Sequence, residues 1–458
     1  MFLENAKKLP GIRALHGTPR LMGAYHFFLA WLGAVLYGFP SRELVVIGVT
    51  GTKGKSTTCD IIAQILRVAG FRVGMVTTVR IWIGDEEREN LTKQTMPGRF
   101  ALQKLLREMV RAGCGYAVIE TSSEGILQYR HRFIDYRIGV FTNLSPEHIE
   151  RHGGLENYRA AKVELFRKIA RHPNGVGIYN LDDPSVGYFL KPGVGARYGF
   201  TFKKRGENEA SGLAAVMRVT DARFGKEDTS FSLNKVRFTM PLVGEFNLRN
   251  AAAAACAAIS QGVPLPTVQK ALGLARSLPG RLERVDLGQR FTVIIDYAHE
   301  PSSLESIYRA ARLFRPKQLI CLLGSQGGGR DRAKREIMGR VAGTHCDSVV
   351  LTNEDPYDED PMKIIGDIKS GVLKVKRAGK EKIFAMPDRR EGIRRALSLA
   401  RIGDAVVLTG KGGEAWMCLD GGRMIPWNER KVVEEELELF LEKKGRSGQD
   451  RPRVSGLG

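Results

Sequence analysis

Residues 45–58 read Val45-Val46-Ile47-Gly48-Val49-Thr50-Gly51-Thr52-Lys53-Gly54-Lys55-Ser56-Thr57-Thr58. A run rich in β-branched residues leads into a glycine-punctuated turn, and Cys59-Asp60-Ile61-Ile62 then opens a helical pattern. Strand, glycine turn and helix in that order are the layout of a phosphate-binding loop. The glycines let successive backbone N–H groups converge on phosphate oxygens, and the helix N-terminus adds its partial positive charge. Gly51, Thr52, Lys53, Gly54 and Thr57 would cradle a nucleotide, Lys55 would reach its terminal phosphates and Ser56 would ligate Mg²⁺. The strict pattern has glycine where Val49 stands, so T-G-T-K-G-K-S-T departs from it by one residue.

Working outward, apolar β-rich runs at 45–49, 73–77, 116–120, 138–142 and 176–180 alternate with helical periodicity at 57–69, 99–112 and 158–170. This predicts an α/β fold, a mostly parallel sheet with helices on both faces. Between about 196 and 240 the pattern turns short and alternating, as in a small antiparallel insertion, and 248–261 is an alanine-rich helix. Ser277-Leu278-Pro279-Gly280 marks a junction. Beyond it, strands at 293–296, 319–323, 348–352 and 405–409 predict a second, Rossmann-like α/β domain. The expected organisation is a basic, apolar N-terminal segment (1–43), a central ATPase domain (44–279), a C-terminal domain (280–442) and a disordered polar tail (443–458).

A chain of 458 residues is too long for one core, and its formal charge of +21, spread along the whole length, favours anionic partners. No aromatic-basic module points to nucleic acid. The six cysteines are widely spaced, with no C-x-x-C pair, so neither a disulfide framework nor a zinc site is expected and a reducing, cytoplasmic setting is read. Residues 21–39 (LMGAYHFFLAWLGAVLYGF) carry no Lys, Arg, Asp or Glu. They read as a helix packed on the ATPase domain, an interfacial helix making peripheral membrane contact, or a barely sufficient span.

Glu120 stands at the C-terminal end of a buried strand, the edge where open parallel sheets bind ligands, and is placed to hold Mg²⁺. A second strand end, Phe141-Thr142-Asn143-Leu144-Ser145-Pro146-Glu147-His148, carries a dense polar cluster. Together with Gly244-Glu245-Phe246-Asn247-Leu248-Arg249-Asn250, Pro279-Gly280-Arg281-Leu282-Glu283 and Asp296-Tyr297-Ala298-His299-Glu300-Pro301, these segments resemble the Mur ligase family, ATP-dependent amide-forming enzymes of peptidoglycan precursor synthesis. The likeness runs in order from about Leu44 to Arg430. It is strongest to members that extend UDP-N-acetylmuramoyl-L-alanyl-D-glutamate with a free amino acid.

The resemblance implies roles. ATP and two Mg²⁺ sites would use Ser56, Glu120, His148 and a carbamylated Lys162; Lys55, Glu120, His148 and Lys162 would be catalytic. Asn247 and Asn250 would contact nucleotide, as would Arg281 and Asp296. Thr95, Ser122, Ser123 and Arg130 match positions that hold the UDP-muramoyl dipeptide, although Met96 and Glu124 replace a usual Thr and His. Glu354, Asp355, Gly410 and Glu414 would take the incoming amino acid. Glu354-Asp355-Pro356-Tyr357 lacks the arginine of the D-N-P-R stretch in diaminopimelate-adding enzymes, which favours lysine or another amine-ended side chain. Gly413 replaces a further His.

Only about forty residues precede the first strand, too few for the independent UDP-binding domain usual in the family. Alternatives are therefore a folylpolyglutamate-synthase-like ligase or one acting on a lipid-linked muramoyl acceptor. A non-catalytic scaffold is disfavoured by Lys55, Glu120, His148 and Lys162. The chain is read as a monomer.

Overall fold

The computed structural model describes residues 19–92, 94–146, 152–203, 212–329, 332–375 and 382–446. The chain forms two compact units: one holds residues up to 223 with 228–242 and 246–275, the other holds 224–227, 243–245 and the chain from 276 onward.

The first unit is built on a sheet of strands β1 (Val45–Thr50), β2 (Val73–Val76), β3 (Arg80–Ile83), β4 (Glu86–Glu89), β5 (Tyr116–Glu120), β6 (Tyr136–Phe141), β7 (Val176–Asn180), β8 (Ala196–Thr201), β9 (Ala215–Phe224), β10 (Thr229–Leu233) and β11 (Val236–Met240). Their order is β11-β10-β9-β8-β7-β6-β1-β5-β2-β3-β4. β1 is central, parallel to β5 and β6, with Val49 opposite Glu120 and Thr50 opposite Phe141. Five of its six residues are buried, because helices cover both faces.

The structure corrects the antiparallel insertion. β8 and β9 continue the parallel sheet from β7, and the antiparallel pairing lies in β10 with β11. It also adds the β3–β4 edge, whose four β4 residues are all exposed and carry no apolar signal. The helix Pro19–Leu36 packs through Ala30, Gly33 and Ala34. A Cβ on Gly33 would lie 3.4 Å from Phe100 Cα, so the small residue permits close approach to the helix Arg99–Arg111. Among the described residues no helix is long and apolar enough to cross a membrane.

The second unit carries β12 (Glu283–Val285), β13 (Thr292–Asp296), β14 (Leu319–Leu323), β15 (Ser348–Thr352), β16 (Ile383–Met386) and β17 (Ala405–Thr409) in the order β12-β13-β17-β14-β15-β16, plus a hairpin of β18 (Trp416–Cys418) and β19 (Met424–Pro426). β13 to β17 are parallel, while β12 runs antiparallel at the edge.

The expectation of unpaired cysteines is overturned here: Cys321 and Cys346 form a disulfide, with Cα atoms 6.0 Å apart. Cys321 lies in β14 and Cys346 two residues before the adjacent β15, so sheet pairing brings together two residues that sequence spacing keeps apart. Cys59, Cys114, Cys256 and Cys418 are buried and outside this disulfide.

Candidate active site

The turn between β1 and the helix Lys55–Val68 is held by its own backbone demands and by β6. Gly54 caps the helix at φ 79°, a left-handed conformation, and a Cβ there would sit 2.1 Å from Asn250 Oδ1. Gly51 is packed as tightly, with Thr142 Oγ1 2.0 Å from where its Cβ would be. Asn143 clamps the turn from two sides: its Oδ1 accepts from Lys53 N at 2.9 Å and its Nδ2 donates to Lys53 O at 3.0 Å. Lys55 Nζ donates to Thr52 O at 2.9 Å. Thr52 Oγ1 lies 3.1 Å from Tyr158 OH and accepts from Ser145 N at 2.9 Å.

From this turn a hydrogen-bond chain leads outward. Ser56 Oγ donates to Glu120 Oε2 at 2.8 Å, and Thr78 N donates to the same oxygen at 2.8 Å. Thr78 Oγ1 is 3.0 Å from Glu120 Oε2 and 3.0 Å from Thr95 Oγ1. A carboxylate only accepts, so Thr78 gives its single proton to Glu120 and takes one from Thr95. Glu120 Oε1 takes no part in these bonds, which leaves it free to meet a metal ion beside the serine. Lys162, almost fully buried, donates to Gly51 O at 2.6 Å and lies over the Tyr158 ring. His148 lies outside the described residues. Among the described residues no group of three or more His, Cys, Asp or Glu side chains is arranged to hold a metal.

Thr95 and Arg130 meet the same stretch: Arg130 Nη1 donates to Met96 O, and Arg130 Nη2 donates to Gln128 Oε1 at 2.6 Å. Ser122 caps the short helix Ser123–Leu127 by accepting from Gly125 N at 3.1 Å. Ser123 is buried. Met96 is fully buried with its sulfur against Gly125, so the replacement of a threonine has turned a polar position into core.

In the second unit, residues gather at the C-terminal ends of β13, β15 and β17. Asp296 accepts from Leu282 N at 2.7 Å and Ala298 N at 2.8 Å, and burial raises its pKa. Arg281 stacks over Tyr297, whose hydroxyl donates to Glu414 Oε1 at 3.1 Å. Lys411 is fully buried and donates to Asp355 Oδ1 at 3.0 Å, Glu414 Oε2 at 2.6 Å and Trp416 O at 2.7 Å. Asp355 and Glu414 therefore already share one cation.

Glu354 does not. It is fully buried, and among the described residues neither carboxylate oxygen has a hydrogen-bond partner. It lies against Gly410, where a Cβ would come within 2.5 Å of Oε2. Burial and the neighbouring Asp355 push its pKa up to about 7. Gly413 is explained by crowding: a Cβ there would stand 2.8 Å from Pro279 O. A cleft of about 290 Å³ lined by Lys226, Arg284, Arg290 and Arg315 opens near the starts of β13 and β17 and includes none of these residues.

Residues 49–258 match the Mur ligase middle domain and residues 280–412 the Mur ligase glutamate ligase domain. The chain is 37% identical over 409 residues, 89% of its length and 81% of the relative's, to UDP-N-acetylmuramoyl-L-alanyl-D-glutamate–2,6-diaminopimelate ligase of Syntrophomonas wolfei. This chain belongs to the Mur ligase family. A second relative, UDP-N-acetylmuramyl-tripeptide synthetase of Roseiflexus sp. strain RS-1, is 37% identical over 88% of this chain and 80% of its own. A solved UDP-N-acetylmuramoyl-L-alanyl-D-glutamate–2,6-diaminopimelate ligase superposes with a TM-score of 0.58 at 28% identity, covering 87% of this chain and 79% of that one. Mycobacterium tuberculosis folylpolyglutamate synthase complexed with ADP reaches 0.65 at 19% identity, covering 93% and 95%, a likeness of fold.

In this Mur ligase several supporting residues escaped sequence reading. Thr78 and Arg389 sit outside the motifs they serve, while Tyr158 and Lys411 stand inside Tyr158-Arg159-Ala160-Ala161-Lys162 and Gly410-Lys411-Gly412-Gly413-Glu414 without a role having been read for them. Arg389 is buried, pairs bidentately with Glu429 through Nε at 2.9 Å and Nη2 at 2.5 Å, and donates to Asn353 O at 3.0 Å and Thr409 O at 2.8 Å. It ties the β15 and β17 ends beneath Glu354. A buried arginine at the first position of the helix Arg389–Leu399 gives no local signal.

Proposed function

We propose that this Mur ligase joins a diamino acid to UDP-N-acetylmuramoyl-L-alanyl-D-glutamate at the expense of ATP. The observation that carries the diamino-acid reading is Glu354, a buried carboxyl group with both oxygens unspent beside Lys411, whose single charge is already shared by Asp355 and Glu414. A side-chain ammonium would supply the missing partner, and lysine or ornithine fits Tyr357 better than a ligand with a distal carboxylate. The name of the Syntrophomonas wolfei relative specifies diaminopimelate, so that amino acid is the competing choice.

Residues 44–279 act as the ATPase domain and 280–442 as the amino-acid domain. The acceptor carboxylate attacks the γ-phosphorus of ATP, ADP leaves, and the incoming amine then displaces phosphate from the acyl phosphate, losing a proton. Lys55 and the turn's N–H groups stabilise the charge on the transferring phosphoryl group. Mg²⁺ held by Ser56, Glu120, His148 and a carbamylated Lys162 would neutralise phosphate oxygens. The burial of Lys162 beside the Gly51 carbonyl supports this reading, in which its neutral amine would add CO₂ and lose a proton. Asn247, Asn250, Arg281 and Asp296 contact nucleotide; Thr95, Ser122, Ser123 and Arg130 hold the acceptor; Glu354, Asp355, Gly410 and Glu414 surround the amino acid.

The test is phosphate release from Mg-ATP and acceptor with L-lysine, L-ornithine or meso-diaminopimelate supplied separately. Dependence on both acceptor and lysine is expected. Preference for diaminopimelate would overturn the amine-ended side chain and keep the ligase.

A second reading, a lipid-linked muramoyl acceptor, is favoured by the helix Pro19–Leu36, which leaves Leu21, Phe27, Phe28, Trp31, Val35 and Leu36 exposed. Such a surface would lie at a bilayer interface, with the enzyme cytoplasmic. Cosedimentation with anionic vesicles, lost on Phe28→Ser with Trp31→Ser, would support it; turnover of the soluble UDP-linked acceptor without vesicle binding would remove it.

A further inference from the structure

The start of the helix Arg99–Arg111 and the loop after Leu127 bring two guanidinium groups onto one residue. Arg99 Nε donates to the Gln128 carbonyl at 2.8 Å, and Arg130 Nη2 donates to the Gln128 side-chain oxygen at 2.6 Å. The remaining anchor, Met96 O, is also neutral. Arg99 Nη2 and Arg130 Nε are buried without a hydrogen-bond partner, and among the described residues no carboxylate forms an ion pair with either side chain. Burial and the neighbouring charge of Arg130 bring the Arg99 pKa down to about 10.

Two like charges side by side repel each other; the nearby Glu124 carboxylate, which accepts from Gln128 Nε2 at 3.1 Å, offsets part of this at Arg130 without pairing with it, and unspent N–H groups in a half-buried setting cost free energy. A planar carboxylate facing both forks would relieve both penalties. The site is in the right place. Thr95 precedes Met96, and the Thr95–Thr78–Glu120–Ser56 chain runs from here to the phosphate-binding turn.

An acceptor that ends in glutamate presents two carboxylates of nearly equal reactivity, of which one must be phosphorylated and the other kept away. We propose that Arg99 acts with Arg130 to bind the carboxylate that is not phosphorylated, and so selects which carboxyl group is activated. This rests on the ligase reading above. Arg99 is the new member of the acceptor site, a specificity-determining residue; the sequence resemblance pointed to Thr95, Ser122, Ser123 and Arg130.

The test sets wild type, Arg99→Gln and Arg99→Lys against two acceptors: the natural one and an analogue whose non-reacting carboxyl is a carboxamide. Initial rates of phosphate release give KM and kcat, and calorimetric binding of each acceptor is measured in parallel. In wild type the carboxamide is expected to bind on the order of ten- to a hundredfold more weakly, the range of a charged hydrogen-bond pair. Arg99→Gln should weaken the natural acceptor by a similar factor, leave KM for ATP and for the amino acid within about twofold, and erase most of the carboxylate preference. Arg99→Lys should keep part of it. Retention of the full carboxylate preference in Arg99→Gln, or an equal loss for both acceptors, would overturn the proposal; the latter would mean that Arg99 serves another anionic group, such as a phosphate. Absence of turnover by wild type would defeat the ligase reading instead, and the binding measurements would still decide the role of Arg99.

Discussion

If Glu354 meets the side chain of the incoming amino acid, as proposed above, amino-acid selection is tied to pH. The Glu354 pKa is pushed up to about 7 in the folded protein, whereas an unfolded glutamate ionises near pH 4.3. Between those values the folded state binds more protons than the unfolded one, so stability falls as pH rises across that window and levels off above it. Glu354→Gln should flatten this slope in pH-dependent thermal melts. For catalysis the sign reverses: a cationic side chain needs the ionised form, so KM for lysine should fall as pH rises through about 7 in wild type and lose that dependence in the variant. Arg389→Met would leave Glu429 buried with only Trp427 Nε1 as a neutral donor at 2.7 Å. A loss of about 3–5 kcal/mol is expected in denaturant titrations. Lys55, Ser56, Glu120 and Thr95 were legible in the sequence because each belongs to a short motif. Lys411 and Arg389 were not, because their meaning lies in partners such as Asp355 and Glu429, 56 and 40 positions away.

Elements were read with an accuracy that follows burial. β5, β7, β14, β15 and β17 emerge with the expected bounds, since strands buried on both faces read as continuous apolar runs. β4 and β12 were missed: both are short edge strands, β4 wholly exposed and β12 with Arg284 facing out. β8 and β9 look antiparallel by their alternation, yet alternation records only one covered face and not strand direction. The Cys321–Cys346 crosslink belongs to this scale too, because strand adjacency alone creates it. Closing a loop across a separation of 25 residues is worth about 3 kcal/mol in the chain-entropy model. Replacing both cysteines with alanine should lower the melting temperature under oxidising conditions, and the same protein measured with reductant should converge on the variant.

On the scale of the whole molecule, the formal charge is +21, and the proposed nucleotide and acceptor are both anionic. Long-range attraction of this kind is screened within roughly 8 Å at physiological ionic strength, so kcat/KM for an anionic acceptor should fall steeply between low and high salt while kcat stays nearly constant. A flat salt profile would show that only the local arginines matter. The three donors that converge on Glu120 Oε2 bear on how the substrates are sensed. If Mg-ATP draws the Ser56 hydroxyl toward the metal, the carboxylate loses one donor and leans more on Thr78, which in turn sets the orientation of Thr95. Nucleotide and acceptor would then be thermodynamically coupled, and linkage makes the coupling reciprocal: the factor by which ATP tightens the acceptor must equal the factor by which the acceptor tightens ATP.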